Sequence, residues 1–490
     1  MKKLLINKSF CTILTWLIVS GCLCMPSSLP FLEKVTNTPG STSTLPPETP
    51  TLQLTPTPTD EITSEDVPTE FLLSPQGPWL IISTSNGLWA ANQDGSNLTQ
   101  FTSQEMDQRG LSKSVQPGGN RFAFITSSAN PKQNLELHLL SLPEGKIEKV
   151  SSLLPSDFEM RENDIGPGDP RMEAIRAISD LPALAWSPDG KTLAFIGYMD
   201  GDSADLYLYN TETHQITRVT QDSYQNFSPA WTPDGKFVLV FGAESFGTGA
   251  GYNMAGAWSA SSDGSNLTWL YESDSGGEEL IGWSSETSAV LASWNAICGS
   301  AMLRHYDIQN TQTTVLYEDC FLQAAADGHG TVMFTTEKGL YLSNAINDNT
   351  PELLLEKPAT RIDWVPGGWT FTAYFRDGSA VSYSPEGEKL QDSPITVSNS
   401  WQMQVAEYGA IWAWTSMDEQ IPGVWTSGPG LPIQQVFEFE SHIPIWDKDN
   451  NLLFFNRDML YKTTFPDYND AALLTQITGE VFDMTWMMNK

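Results

Sequence analysis

The chain has 490 residues, of which 26 are lysine or arginine and 59 aspartate or glutamate, giving a formal charge of −33 at pH 7. A surface this acidic argues against nucleic acid as a partner and against direct adsorption to anionic lipid. The five cysteines form no CxxC pair and no Cys/His cluster, which excludes a zinc site of the usual spacing.

The chain opens with three lysines, Lys2, Lys3 and Lys8, and an apolar run over residues 10–20 that stops at Val19-Ser20-Gly21-Cys22. A positive start, a short apolar core and small residues before a cleavage point make a secretory signal, and the run is too short to span a bilayer. A cysteine directly after the small pair resembles the lipobox of bacterial lipoproteins. The resemblance implies cleavage after residue 21 and acyl chains, such as palmitate, on Cys22. Cleavage removes the three lysines and no acid, so the charge moves from −33 to about −36.

Residues 22–75 carry the anchor and then a stretch dominated by Thr, Pro and Ser. Such a stretch buries too little apolar surface to offset its ordering entropy, so it reads as a disordered, extended linker. Residues 76–490 form one all-β domain.

That domain repeats. Ala185-Trp186-Ser187-Pro188-Asp189-Gly190 leads into a β-pattern, and Ala230-Trp231-Thr232-Pro233-Asp234-Gly235 does the same. Pro sets the turn, Asp bonds the local backbone and Gly takes the unusual dihedrals. Equivalent positions are Val115, Trp186, Trp231, Trp283, Ala324, Trp364, Val405, Trp446 and Trp486, and the last five intervals are 40 or 41 residues. About 40 residues is the length of one four-stranded propeller blade. The hexapeptide Asp94-Gly95-Ser96-Asn97-Leu98-Thr99 recurs as Asp263-Gly264-Ser265-Asn266-Leu267-Thr268 and reads as the hairpin between third and fourth strands. The domain begins on a second strand (Trp79-Leu80-Ile81-Ile82) and finishes on a first (Met484-Thr485-Trp486), so the last strand completes the first blade. The literal count is nine blades, and eight with one irregular unit is the alternative.

These residues resemble the WD40-like repeat of the TolB type, with units of the form SPAWSPDGKxIAF followed by a DIY strand and a DG turn. The resemblance covers residues 79–490. It implies a propeller with first strands on a central channel, which in that family docks partners of the cell envelope.

Four further features bear on function. Residues 155–180 are an insertion between the second and third blades, carrying Asp157, Phe158, Arg161, Glu162 and Arg171, and residues 171–178 read as a short helix. A second long loop at residues 244–253, with Phe246 and Tyr252, emerges on the same face; both are candidate binding loops. Asp200, Asp202 and Asp205 form a calcium-like run that lacks the glycine and glutamate of an EF-hand. Cys298 and Cys320 fall on one rim of a blade, which predicts a disulfide. Trp401, Trp412, Trp414 and Trp425 cluster in one blade and read as packing between blades.

No nucleophile elbow or catalytic constellation is present among the five scattered histidines, and no cofactor is implied. The composite expectation is an extracytoplasmic, lipid-anchored propeller on the cell membrane or cell surface that binds a cell-envelope or extracellular protein or peptide without catalysis. The alternative is an extracellular hydrolase acting on carbohydrate or peptide at the channel mouth.

Overall fold

The computed structural model describes residues 73–488 apart from 105–109, 128–133, 160–168, 247–251, 274–275, 296–298, 345–347, 366–368, 378, 394–399, 407–410, 417–421 and 429–430. The signal, Cys22, the linker up to residue 72, Arg161, Glu162 and Cys298 lie outside the described residues.

Among the described residues the chain makes nine antiparallel sheets, eight of four strands and one of three, arranged as the blades of a β-propeller. Blades are numbered from the N-terminus. Every aligned repeat position except Val115 falls on the innermost strand of its blade, from Trp186 in Leu184–Trp186 to Trp446 in His442–Trp446. Blade one closes the ring: Trp79–Thr84 pairs antiparallel with Val481–Met487, with Leu80 opposite Trp486 and Ile82 opposite Met484. Closure pairs one of the two free sheet edges that an open array would expose. Leu80, Ile82, Val481 and Met484 pack there against Leu453 and Phe455 of blade nine.

Blade two departs from the expected four strands. It has Arg121–Thr126, Glu136–Ser141 and Lys146–Ser152, and Val115 contributes only a single bridge to Phe122. The residues that would extend its first strand coil instead into a 3-10 turn, Leu111–Ser114, entered through Gly110 at φ 77°. Leu111 N in that turn donates to Asp483 Oδ2 of the closing strand at 3.2 Å.

The repeated tryptophan has a specific task. At four of its positions the indole N–H donates to a backbone carbonyl of the preceding blade: Trp186 to Ser114 O at 2.9 Å, Trp231 to Ala185 O at 3.0 Å, Trp446 to Gln404 O at 3.4 Å and Trp486 to Trp446 O at 2.7 Å. Each ring thus fills the seam between two blades while its one polar atom finds a partner across that seam.

The turns form as their residues dictate. Asp189 Oδ1 accepts from Ser187 Oγ at 2.6 Å and Lys191 N at 3.1 Å, and Asp234 Oδ1 repeats this with Thr232 Oγ1 at 2.8 Å and Lys236 N at 3.0 Å. Gly190 and Gly235 both sit at φ 70°, a region costly for any residue with a Cβ. The duplicated hexapeptide gives the third-to-fourth hairpin in blades one and four, and Ser96 Oγ and Ser265 Oγ each donate to the local aspartate at 2.6 Å.

Candidate functional site

In an antiparallel meander the second-to-third hairpin and the connection to the next blade emerge on the same face. The insertion and the blade-four loop are one of each kind. The insertion contains a helix, Pro170–Ser179, two residues longer than the pattern predicts. Asp169 caps it by accepting from Arg171 N at 2.9 Å, and Pro170 occupies the first turn, where a missing N–H costs nothing. Arg171 folds back on the same carboxylate, Nη2 to Oδ2 at 2.7 Å, and also donates to Glu159 O at 3.2 Å. The Arg171 hydrogen bond holds the Asp169 carboxyl below the usual carboxylate range despite some burial.

The inner side of the helix buries Ala174, Ile175, Ala177 and Ile178. Glu173 is buried with them and its Oε2 accepts from Phe246 N at 2.6 Å. Arg176 Nη1 donates to Phe246 O at 2.9 Å and lies 3.6 Å from Glu173 Oε1. One carboxylate and one guanidinium therefore grip both backbone groups of Phe246. The helix of the insertion is thereby joined to the end of the second strand of blade four, where its long loop begins.

The aromatic residues expected as contacts divide into anchors and others. Phe246 is buried, edge-on to Phe227 at 5.4 Å, so it fixes the loop and does not face a partner. Phe158 is half-buried, edge-on to Tyr198 at 6.2 Å. Asp157 is exposed. The side chain of Tyr252 lies outside the described residues.

The carboxylates of the calcium-like run are placed apart and differ in surroundings. Asp205 is fully buried, with Oδ2 accepting from Arg218 Nη2 at 2.6 Å and Nε at 3.1 Å, and Oδ1 accepting from Thr220 Oγ1 at 2.8 Å. Burial pushes its pKa up to about 7, against the pull of Thr220 and Arg218. Arg218 Nη1 also donates to Asp200 O at 2.8 Å, while Asp202 faces solvent. The run is thus organised around a guanidinium, and among the described residues no group of three or more His, Cys, Asp or Glu is placed to hold a metal ion.

Cys320 is disulfide-bonded. The adjacent Phe321 N donates to Ser300 O at 3.1 Å, which brings the rim segments around residues 300 and 320 together. Trp412 and Trp414 are 2% and 0% exposed and pack on Tyr374 of blade seven, as interblade residues should. Sequence reasoning did not find Glu173, Arg176 or Arg218. The i, i+3 spacing of the first two was the available signal, and nothing local marks Glu173 as buried.

Nine meanders closed by the terminal strand, with Pro-Asp-Gly turns and four tryptophans that each tie their blade to the one before, make a β-propeller whose repeat is similar to the WD40-like repeat of the TolB type. No family model matches the chain. A stretch of 55 residues is 47% identical to the uncharacterized peptidase YuxL of Bacillus subtilis, covering 11% of this chain and 8% of that protein. A stretch of 66 residues is 29% identical to the Tol-Pal system protein TolB of Alcanivorax borkumensis, covering 14% of this chain and 15% of that protein. The chain thus matches well under a quarter of the length of either relative. Among solved structures, a eukaryotic initiation factor superposes with a TM-score of 0.52 at 11% identity, over 85% of this chain and 100% of that one, which is a likeness of fold alone.

Proposed function

We propose that this chain is a membrane-anchored, extracytoplasmic propeller that binds a protein or peptide partner on the face carrying the insertion and the blade-four loop, with no chemistry of its own. The observation that carries the reading is the Glu173–Phe246–Arg176 clamp. Two segments that the repeat does not need, from different parts of the ring, are joined where the helix of the insertion meets Phe246. Ordering such loops before encounter lowers the entropic cost of association. The similarity to Tol-Pal system proteins supports a partner in the cell envelope. The acylated Cys22 and the linker hold the propeller off the membrane, and a Cys298–Cys320 disulfide stiffens the rim of blade five.

A photo-crosslinking residue at Asp157 tests the reading in the native host, with one at Leu390 on an outer strand as control. The expected result is a discrete adduct with an envelope protein from position 157, absent from position 390 and lost in Glu173→Ala. Equal labelling from both positions sinks the docking face. The anchor is tested separately by Cys22→Ala, which should move the protein out of the membrane fraction.

A further inference from the structure

The fourth strands of blades four and five end on the same pattern. Thr268-Trp269-Leu270-Tyr271-Glu272 and Thr314-Val315-Leu316-Tyr317-Glu318 differ at one position. Each tyrosine meets the next blade in the ring. Tyr271 lies 6.0 Å from Tyr306 of blade five between ring centroids, and Tyr317 lies 5.0 Å from Phe334 and 6.5 Å from Tyr341 of blade six.

The two seams differ in what covers the tyrosine. In the first, the guanidinium of Arg304, on the third strand of blade five, lies 5.0 Å over the centroid of the Tyr271 ring. Register gives the matching position on blade six. Leu303 opposes Tyr317 and Arg304 opposes Val315, with a bulge between the two pairs. Leu340 opposes Leu355 and Tyr341 opposes Leu353, with the same bulge. Tyr341 therefore stands where Arg304 stands one blade earlier. Among the described residues no lysine or arginine lies over Tyr317 or Tyr341. The second seam has instead an open cleft of about 450 Å³, lined by Val315, Leu316, Tyr317, Glu318, Tyr341 and Pro351.

The lining decides what the cleft can hold. Its volume suits a small molecule. Its side chains are apolar or aromatic apart from two phenols and one carboxylate, so a polyhydroxy ligand would leave most of its hydrogen-bonding groups unmet. Glu318 and the neighbouring Asp319 are exposed at its edge. Burial and the charge of Asp319 push the Tyr317 phenol up. A field of this sign repels an anion and attracts a cation, and the face of a tyrosine ring does the same. The edge is also held in place. Cys320 is disulfide-bonded, its N–H donates to Asp319 Oδ1 at 2.7 Å, and Phe321 N donates to Ser300 O at 3.1 Å.

We propose that the cleft between blades five and six binds a small organic cation, an ammonium ion with an apolar body, which lies on Tyr317 and Tyr341 with Glu318 as its counter-charge. The ligand takes the place that Arg304 fills in the preceding seam. The site uses no residue of the insertion or of the blade-four loop, so it stands or falls without the docking face.

The test titrates choline and its neutral isostere, neohexyl alcohol, at millimolar concentration into the full chain in a non-ionic detergent, read by calorimetry and saturation-transfer NMR. Choline is expected to bind, and the alcohol to bind about fivefold more weakly or not at all. Glu318→Gln, an exposed change that keeps the shape and removes the charge, should weaken choline about two- to fivefold. Tyr341→Arg rebuilds the arrangement of the preceding seam and should abolish choline binding. If choline fails to bind the wild type, if the alcohol binds equally well, or if both variants bind choline as the wild type does, the proposal is overturned.

Discussion

Blades three and four and blades seven and eight are the same architectural unit treated in two ways. In the first pair the repeat is intact. Trp231 crosses the seam to Ala185 O, Asp189 and Asp234 close matching turns, and Asp205 is saturated by Arg218 and Thr220. In the second pair Val405 replaces the tryptophan, and Trp412 and Trp414 pack on Tyr374 across the seam. A propeller blade therefore tolerates the loss of its repeat signature as long as the strands still pair. What is lost is an indole hydrogen bond across the seam, and packing of large rings holds the two blades in its place.

The comparison can be broken or sharpened by substitution. The largest effect is expected at Trp186, whose ring is almost fully buried and whose N–H ties blade three to blade two. Trp186→Ala should cost about 3–5 kcal/mol in urea unfolding, whereas Trp364→Ala, on a half-buried ring of blade seven, should cost distinctly less. Equal losses would remove the distinction between tied and untied blades.

Next comes the buried ion pair. Arg218→Ala strands the Asp205 carboxylate and should cost about 3 kcal/mol at neutral pH. Titration gives a second reading of the same pair. The folded pKa of Asp205 is raised from 3.8 to about 7, so folding favours the protonated form. Its favourable contribution is complete below the unfolded pKa and is lost as pH rises through the folded one. Wild-type stability relative to Asp205→Asn should therefore fall between about pH 4 and pH 7, measured by urea unfolding at fixed ionic strength. A difference that grows over that window contradicts the assignment.

The smallest effect is expected at the duplicated hairpin. Asp263→Ala removes bonds to Ser265 N at 2.9 Å and Ser265 Oγ at 2.6 Å, both in an exposed turn. A cost of about 1 kcal/mol or less is expected, and Asp94→Ala should match it, because the same six residues make the same turn in blade one.

The repeat was legible because each of its parts acts locally. Pro-Asp-Gly makes its turn from neighbouring atoms, strand alternation is a property of the pleat, and the 40-residue interval follows from four strands. The closing pair was legible because an incomplete meander at each end leaves one arrangement that joins them. The candidate site was less so. The two loops were recognisable as departures from the repeat, and topology put them on one face. The contact that joins them was not, because Glu173 meets Phe246 across 73 residues of chain. In the calcium-like run, the pairing of Asp205 with Arg218 was not legible, because local spacing says nothing of a residue that arrives from the next strand. Blade two misled because Val115 aligned with a strand position, while the turn before it depends on Asp483 at the far end of the chain.

The strand Val481–Met487 lies against Trp79–Thr84, roughly 400 positions earlier in the polypeptide. While the chain is being made, the first meander waits with one side unfilled until nearly every other residue has emerged. The earlier blades can stack as they appear, yet the ring gains its closing contact only once Val481–Met487 has emerged. A chain stopped a few residues short of Val481 would retain all its internal meanders and still lack a finished ring, which makes the final seven-residue strand a checkpoint on the whole molecule.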